Sequence, residues 1–508
     1  MRTLAIFLLV LAAAHGRTCD IRDYGALRPG EKATAVIQAA IDACSAAGGG
    51  TVNVPPGTYQ SGAIRLKDNT TLHLEAGAVL TPTHVAEDYP RPGRALVYSD
   101  GAKNIGITGR GAIDGQARYK WGPDLEPDPI IPEEIEIARK AGVDMNRWLH
   151  EGLTINAVRL RNSTDVLVEG VSLVNSSSWT LVFDHCNRVR VHGIRLESDL
   201  EKALNADGID IVSSRNVVIS DSIIFSADDT ICLKTEGGPV ENVAVTNCLL
   251  SSSSCAFKIG SRTNDDVRHV VFSNSVIRDT NRGFGIQDPV AGTVSDVLVS
   301  NITIELNRRH WNWWGSAEPI SITLNKRPPA PGLGQVRDIV IENVVAHARG
   351  TSRITGLPER DIESITLRNI DIYMQPENKP DKRATRAIWI QNVKDCRLRD
   401  VRVRWEEEQT EPKWASAIFA KAVGYLDIDG FVGRQGLRGS DLPVMDLQDI
   451  AGGWIRGCRA LPGSGTFFRI GGSATKQLRF GANELTNARQ AFSPLDGSLE
   501  KLIVIDQR

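Results

Sequence analysis

Short runs of alternating apolar and polar residues recur along most of this chain. Each run opens on a polar residue, continues as Val/Ile-x-Val/Ile, and ends at a polar residue or a glycine. Alternation with a period of two predicts a strand and not a helix. The first apolar residues of six clear copies follow one another at steps of 26, 27, 27, 42 and 26 residues, at Val217, Val243, Val270, Val297, Ile339 and Ile365.

This nearly constant period indicates a stacked-repeat protein. If each repeat forms one coil, apolar side chains point inward and neighbouring coils pair through parallel strands. The sequence therefore predicts an all-β protein whose fold is a parallel β-helix. Such stacking brings residues that are distant in the sequence onto one wall of the solenoid.

The two ends of the repeat region have their own signals. Residues 34–47 place apolar side chains at 36, 37, 40, 41 and 44, the spacing of an amphipathic helix, and the helix is expected to end at Gly48-Gly49-Gly50. A solenoid must cover the open end of its core, and this helix is well placed to do so. Beyond Arg386 the repeats loosen, which predicts either less regular coils with a C-terminal cover or a small appended β domain from about residue 415.

We divide the chain into three parts on these patterns. Residues 1–16 have a basic start, a short apolar stretch and small residues at the end, which is typical of a secretory signal peptide. Residues 17–60 form the N-terminal cap, and residues 61–508 form the β-helix. Insertions interrupt it at about 119–153 and 306–335, and long insertions of this kind usually build a binding face.

Composition and charge exclude some classes of protein. A net charge of -2 argues against a nucleic acid or an anionic membrane as the partner. No later segment is apolar enough to cross a membrane, so we expect a secreted or periplasmic monomer without membrane insertion. Of the eight cysteines, Cys19 and Cys44 are candidates for a disulfide bond, and the others are expected to fill the solenoid interior. No Cys/His spacing resembles a metal site, so no metal or organic cofactor is expected.

The candidate chemistry lies in two acidic segments, Asn205-Ala206-Asp207-Gly208 and Ala227-Asp228-Asp229. Asp207 and Asp228 are 21 residues apart, about one coil, and adjacent strands are about 4.8 Å apart. At least one of the neighbours Asp228 and Asp229 must lie at a corner if both face one cleft. Three close carboxyl groups repel one another, so at least one should keep its proton while the others ionise. A proton donor beside carboxylates that polarise water is what glycoside hydrolysis requires.

These two segments also resemble the Asn-Thr-Asp-Gly and Gly-Asp-Asp motifs of family 28 glycoside hydrolases, the polygalacturonase family. The N-terminal segment from Asp23 to Tyr59 is similar to the cap of that family, and the resemblance extends over roughly residues 20–375. It implies a right-handed β-helix and hydrolysis of a pectic glycan by single displacement with inversion. Asp228 would then be the general acid, while Asp207 and Asp229 would hold and deprotonate the attacking water.

The chain departs from the family pattern at two motifs. Cys255 occupies the place of the histidine in Gly-His-Gly, and Gly285-Ile286-Gln287 occupies the place of Arg-Ile-Lys, whose basic residues bind the substrate carboxylate in polygalacturonases. The pattern is more similar to rhamnogalacturonan-directed or exo-acting bacterial members. Other residues would then have to bind the sugar, and our candidates are Asn205, Lys234, Lys258, Arg262, Arg282, Gln287, Trp313 and Trp314.

Several of these candidates have a second interpretation. The tryptophans of the second insertion either stack on sugar rings or anchor the insertion to the solenoid. Trp179 and His185, one coil before Asp207, are expected beside the same cleft. Two competing functions also stay open: a polysaccharide lyase, which would need Ca²⁺ and a basic catalyst, and a non-catalytic carbohydrate-binding solenoid, which the loss of both family motifs favours.

Overall fold

The computed structural model of this protein describes residues 17–25, 31–90, 94–122, 136–137, 139–143, 147–309, 315–326, 332–495 and 503–504. Strands account for 57% of the chain, and the all-β prediction is confirmed. Apart from one antiparallel pair, the strands pair in parallel and form three sheets that run along the axis of a β-helix. No helix in the described ranges has the length and apolar character needed to cross a membrane.

The first sheet is the one that carries the candidate site. Its strands are Ile64–Arg65, Ala95–Asp100, Asn156–Arg161, Leu181–Asp184, Ile209–Val212, Ile231–Thr235, Phe257–Thr263, Arg282–Pro289, Glu318–Thr323, Ser352–Thr355, the start of Ile388–Trp405, the start of Ile418–Asp429, Pro443–Ile450, Ser464–Gly471 and Ala488–Pro494.

The second and third sheets complete each coil. The second contains Thr18–Asp20, Gly50–Val54, Thr70–Leu74, Lys103–Gly109, Thr164–Glu169, Asn187–His192, Arg215–Ser220, Val240–Thr246, Val267–Thr280, Thr293–Leu306, Gln335–Ala348, Glu363–Met374, Gly453–Arg456, Leu478–Gly481 and Ile503–Val504. The third contains Gly57–Ser61, Ala78–Pro82, Ala112–Asp114, Ser172–Val174, Arg195–Glu197, Ile223–Ser226, Leu249–Ser252, Val432–Gly433 and Arg459–Ala460, together with the second halves of the long strands that turn the corner from the second sheet.

The corner between the second and third sheets is built by asparagines with left-handed backbone. Asn301, Asn343 and Asn369 have φ values of 57°, 54° and 52°, which Asn tolerates better than most residues. Each amide donates to the one on the coil before it, with 2.9 Å from Asn343 Nδ2 to Asn301 Oδ1 and 2.8 Å from Asn369 Nδ2 to Asn343 Oδ1. This amide ladder fixes the position of the corner from coil to coil.

The helix predicted near the N-terminus is present in the structure. The helix extends over Thr34–Ala46 and buries Ile37, Ala40, Ile41 and Cys44 against the first coils. Short 3-10 helices lie at Ile21–Tyr24 and Ala86–Asp88. The disulfide considered between Cys19 and Cys44 is not formed, since both are buried free thiols in the structure.

The coils continue beyond residue 415 instead of giving way to a separate domain. Ile418, Met445 and Phe468 are successive register partners in the first sheet, and the parallel pairing extends to Ala488–Pro494. The repeat pattern weakens there because outward positions such as Trp389 and Phe419 are aromatic, which removes the alternation of polar and apolar residues.

The first insertion contributes an antiparallel pair, Tyr119–Gly122 with Arg147–His150.

The interior beneath the site is a stack of large apolar side chains. Phe257 lies parallel to Phe272, with ring centroids 4.7 Å apart, and within 6.0 Å of Phe284 on the next coil. All three are almost completely buried. Close-packed aromatic rings resist displacement, so the packing fixes the position of the strand ends above them.

Candidate active site

The acidic residues lie in the turn that leads into the strands of the first sheet. Ile209 and Ile231 are register partners, so Asp207 and Asp229, each two residues earlier, occupy the same position on consecutive coils. The Gly208 amide donates to the Asp229 carbonyl oxygen over 2.8 Å, which continues the ladder into the turn. The 21-residue spacing between Asp207 and Asp228 predicts instead that these two carboxylates stack on one wall. The structure corrects this, because Asp228 lies one residue further out, at the corner where the pleat breaks.

Gly208 allows this close approach of the two coils. A Cβ atom at this position would lie 2.4 Å from the Thr230 carbonyl oxygen and 2.9 Å from Ile224 Cγ2. No side chain fits that space without displacing the backbone. The glycine in the Asn-Ala-Asp-Gly segment therefore sets the spacing between Asp207 and the next pair of acids.

The three carboxyl groups converge as the sequence predicted. Asp207, Asp228 and Asp229 each have a carboxylate oxygen within 4.8 Å of those of the other two. Their exposed fractions are only 3%, 8% and 2%. Like charges this close and this well shielded from water cannot all ionise without a large cost.

Two buried lysines balance part of this charge. Lys258 Nζ donates to Asp229 Oδ2 over 2.8 Å, and Lys234 Nζ donates to Asp207 Oδ2 over the same distance. Lys234 also pairs with Asp210. The indole of Trp179 lies under Lys234, with its ring centroid 4.1 Å from Nζ. Asp228 is the member of the cluster that has no lysine partner among the described residues.

These contacts divide the acids into unequal groups. Burial, reinforced by the charges of Asp207 and Asp229, raises the pKa of Asp228 to about 8. Burial acts in the same direction on Asp229, but the ammonium groups of Lys258 and Lys234 outweigh it and hold its pKa below the ordinary value. Burial also raises the pKa of Asp207, against the opposing effect of Lys234. At neutral pH, Asp228 therefore holds a proton beside the ionised Asp229.

Two supporting residues were not among the sequence candidates. Asp210 is fully buried and shares Lys234 with Asp207, and burial raises its pKa well above the ordinary value. Asp210 alternates with the buried Ile209 and Ile211, and this pattern is the sequence signal that could have identified it as an outward-facing side chain. Ser254 Oγ donates to Asp229 Oδ1 over 2.9 Å, a contact that requires the register of the next coil and has no signal in the sequence.

Cys255, at the place of the family histidine, is directly above Asp229 in the stack. The Thr230 amide donates to the Cys255 carbonyl oxygen over 2.9 Å. Its thiol is completely buried and lies 3.3 Å from the Phe257 carbonyl oxygen, and burial strongly raises its pKa. Cys255 therefore fills space in the wall, and the charge next to Asp229 comes from Lys258 instead.

The other predicted sugar-binding residues have diverse surroundings. Arg282, with an exposed fraction of 7%, donates from Nε to Glu318 Oε1 over 2.7 Å. Gln287 is nearly buried on the strand after the site, whereas Asn205 is exposed and has left-handed backbone. The Arg262 guanidinium lies 5.8 Å from the Trp179 ring centroid. Trp313 and Trp314 lie outside the described residues, and sugar binding by this set stays a prediction.

The first insertion supports the loop that carries Asp207. The ammonium group of Lys202 lies 4.9 Å from the ring centroid of Trp148 in the insertion. Tyr119 packs against the small apolar cluster of Ala203, Ala206 and Ala227. His185 is held on the other side of the site, with Nδ1 2.7 Å from Asp184 Oδ1. The insertion thus stabilises the turn from which the acids project.

The stacked coils and the buried acid cluster define a glycoside hydrolase built on a parallel β-helix. The chain belongs to glycosyl hydrolases family 28, whose family model matches residues 44–386. It is 24% identical over 361 residues to an endo-polygalacturonase of Pectobacterium carotovorum subsp. carotovorum, covering 67% of this chain and 84% of that protein. It is 26% identical over 313 residues to an exo-poly-alpha-D-galacturonosidase of Dickeya chrysanthemi, covering 53% of this chain and 51% of that protein.

Among solved structures, the chain is similar to an exopolygalacturonase from Thermotoga maritima. The TM-score is 0.62 at 22% sequence identity, and the match covers 76% of this chain and 92% of that one. This likeness establishes the β-helix fold.

Proposed function

We propose that the protein is an exported enzyme that hydrolyses glycosidic bonds in a pectic polysaccharide or its oligosaccharides. The observation that carries the proposal is one buried cluster of three carboxyl groups in which Lys258 pairs with Asp229, whereas Asp228 has no lysine partner among the described residues. This arrangement raises the pKa of Asp228 and lowers that of Asp229. Glycoside hydrolysis requires such a proton donor and such a carboxylate side by side. The pectic substrate is supported by the family and by the names of the relatives.

In the proposed reaction, Asp228 donates its proton to the glycosidic oxygen. Asp229, kept ionised by Lys258, removes a proton from water as the oxygen of that water bonds to the anomeric carbon. Asp207 accepts a hydrogen bond from the same water. The glycosidic bond breaks as the new bond forms, so one reducing end appears for each bond cleaved. Asp228 is left as a carboxylate and Asp229 is left protonated, and the cycle closes when Asp229 loses its proton to solvent and Asp228 gains one.

Inversion of the anomeric carbon is the expected outcome from family membership. Inverting enzymes usually separate acid and base by about 6.5–9.5 Å, whereas the nearest carboxylate oxygens here lie within 4.8 Å. The stereochemical expectation therefore rests on the family and not on this spacing. Proton NMR of the first product formed tests it, and retention of configuration would contradict single displacement.

The experiment that tests the function is a panel of pectic fractions: polygalacturonan, rhamnogalacturonan and their oligosaccharides. We expect new reducing ends from at least one fraction. Asp228→Asn should lower the rate by about 10²–10⁴-fold, the usual contribution of a general acid. Asp296→Asn, at an exposed corner of another coil, is the matched control and should leave the rate unchanged.

Two outcomes would contradict the proposal. Release of an unsaturated uronate, detected by its absorbance and abolished by a chelator, would identify a lyase. Glycan binding with no cleavage of any fraction, together with equal behaviour of wild type and Asp228→Asn, would identify a binding protein with an inert acid cluster.

A further inference from the structure

A second cluster of charged and aromatic side chains lies on the same sheet face as the acids, further along the solenoid. We call it the distal patch and define it by Arg353, Arg386, Trp389 and Phe419. Trp389 is the register partner of Arg353 on one side and of Phe419 on the other. Arg353, Arg386 and Trp389 are partly exposed, while Phe419 is 7% exposed.

The two arginines of the distal patch are held by aromatic rings. The guanidinium carbon of Arg386 lies 5.1 Å from the Trp389 ring centroid and 4.6 Å from that of Phe419. The guanidinium carbon of Arg353 lies 5.6 Å from the same indole. A guanidinium that contacts a ring through its face keeps its in-plane N–H groups available. The ring contacts hold the two guanidinium groups at the sheet surface without using any of their N–H groups as hydrogen-bond donors to a carboxylate.

The patch carries an excess of positive charge. Neither Arg353 nor Arg386 has a carboxylate partner in the described ranges, and Arg386 donates only from Nη1 to Thr385 Oγ1, over 3.0 Å. Arg386 Nε is buried and has no hydrogen-bond acceptor. The nearby carboxylate of Asp446 is already paired with Arg469. An isolated, partly buried arginine of this kind is satisfied by an incoming anion.

The position of the patch relates it to the acid cluster. Lys258 beside Asp229 and Trp389 in the patch are four register steps apart in the first sheet, through Gly285, Ser321 and Arg353. Four coils at about 4.8 Å each give about 19 Å along the solenoid axis. Trp389 and Phe419 also lie beyond the residues that the family model matches.

We propose that the distal patch binds carboxylate groups of uronic acid residues on a long substrate chain, several sugars away from the bond that is cleaved. This inference rests on the proposed function for the identity of the chain. The planar guanidinium forks match a carboxylate in two parallel hydrogen bonds, which a neutral or esterified sugar does not offer. The patch would therefore increase affinity for long, de-esterified chains and leave short ones unaffected.

A binding experiment tests the proposal without requiring cleavage. Dissociation constants for polygalacturonan are measured by native gels containing the polymer, with Asp228→Asn as the parent protein. Adding Arg353→Gln and Arg386→Gln should weaken binding about tenfold, the expected loss for hydrogen bonds to charged groups. The control adds Arg402→Gln and Arg404→Gln on another face, which removes the same net charge and should leave the dissociation constant unchanged.

The chemistry of the polymer and the length of the substrate supply two further measurements. Fully methyl-esterified polymer should bind parent and patch variant equally. In proteins that retain Asp228, Arg353→Gln/Arg386→Gln should lower kcat/KM on the polymer and not on di- and trisaccharides.

Unchanged binding of the polymer by the patch variant, or an equal loss in the Arg402/Arg404 control, would overturn the inference. Absence of cleavage of any substrate by wild type would instead count against the proposed function, and the binding result would still decide the role of the patch.

Discussion

Two regions of one sheet face carry opposite chemistry on the same scaffold. In the coils around Asp207 and Asp229, acids and lysines are buried and paired with one another. In the coils around Trp389, arginines are partly exposed, contact aromatic rings and have no acid partner among the described residues. Both regions are built on parallel pairing within the first sheet, although the register shifts between Leu233 and Thr235 beside the acids. The chemical difference between the regions lies in their side chains.

The difference follows from what each region must do with charge. Proton transfer requires a buried cluster in which neighbours set unequal pKa values, and each pKa there depends on groups from two or three coils. Binding an anion requires fixed positive charge that does not titrate, and arginine supplies it. Predictions for the acid cluster should therefore depend on pH, and those for the distal patch should not.

The largest effect is expected from pH itself. Asp228 must be protonated to act as the acid, and its pKa is raised to about 8. As pH rises through this value the proton is lost, so kcat/KM on a short oligosaccharide should fall about tenfold per pH unit above it. A profile that falls several units lower, near the ordinary pKa of an aspartate, would contradict the assignment of Asp228 as the acid.

Polymer binding, measured over the same pH range, should behave differently from catalysis. The ratio of polymer binding between the parent and Arg353→Gln/Arg386→Gln should be constant across this pH range, because guanidinium groups stay charged. A ratio that changed with pH in this range would mean that titrating groups contribute to polymer binding at the patch.

The next largest effect is expected from Lys258→Gln. Without this ammonium, only Lys234 and Ser254 oppose the effect of burial on Asp229, so its pKa rises, and the pKa of Asp228 rises as well because Lys258 lowers it. Both limbs of the pH profile should therefore move to higher pH, and kcat/KM on a short substrate at neutral pH should fall about 10- to 100-fold.

Lys421→Gln is the matched control for this change. Lys421 is an exposed lysine on the same sheet, beside the distal patch, and its loss should not alter the profile for short oligosaccharides. A Lys258→Gln enzyme with a raised KM, unchanged kcat and unmoved pH limbs would show that Lys258 binds the substrate carboxylate, which is the role the sequence suggested.

The contrast between the regions also explains how far sequence reasoning reached. The repeat period and the position of three acids on neighbouring coils followed from the spacing of apolar residues, because alternation fixes which side chains point inward. The pairing of Asp207 with Asp229 did not, since it depends on a turn that shifts the count by one residue. The pairing of Lys258 with Asp229 was not predicted either, because the two residues lie on adjacent coils, 29 residues apart.

The distal patch was not predicted from the sequence, for a related reason. Trp389 and Phe419 are outward residues with apolar side chains, so the strands that contain them lack a polar face in the sequence. The arginine that contacts both rings, Arg386, precedes its strand by two residues. Only the coil register shows that these residues meet.

A smaller effect, on stability alone, is expected at the asparagine ladder that underlies both regions. Asn343→Ala puts alanine, which tolerates left-handed backbone less well than asparagine, at a φ of 54°. It also removes the side-chain amide that makes both ladder hydrogen bonds. The free energy of unfolding should fall by about 1–2 kcal/mol, measured with urea. Asn343→Gly accepts the backbone conformation and should lose less, while activity and polymer binding should be unchanged in both variants. An equal loss in the two would mean that the backbone conformation contributes little.

The smallest effect is expected at Cys255, the residue that replaces the family histidine. Its thiol is buried, it hydrogen-bonds only to backbone carbonyl oxygens among the described residues, and its raised pKa keeps it protonated. Cys255→Ala removes one buried sulfur atom, so we expect kcat/KM within about twofold of wild type and a loss of about 1 kcal/mol in stability. A large fall in kcat with normal folding would show that the thiol supports the acid as the histidine does, and that Lys258 does not fill this role alone.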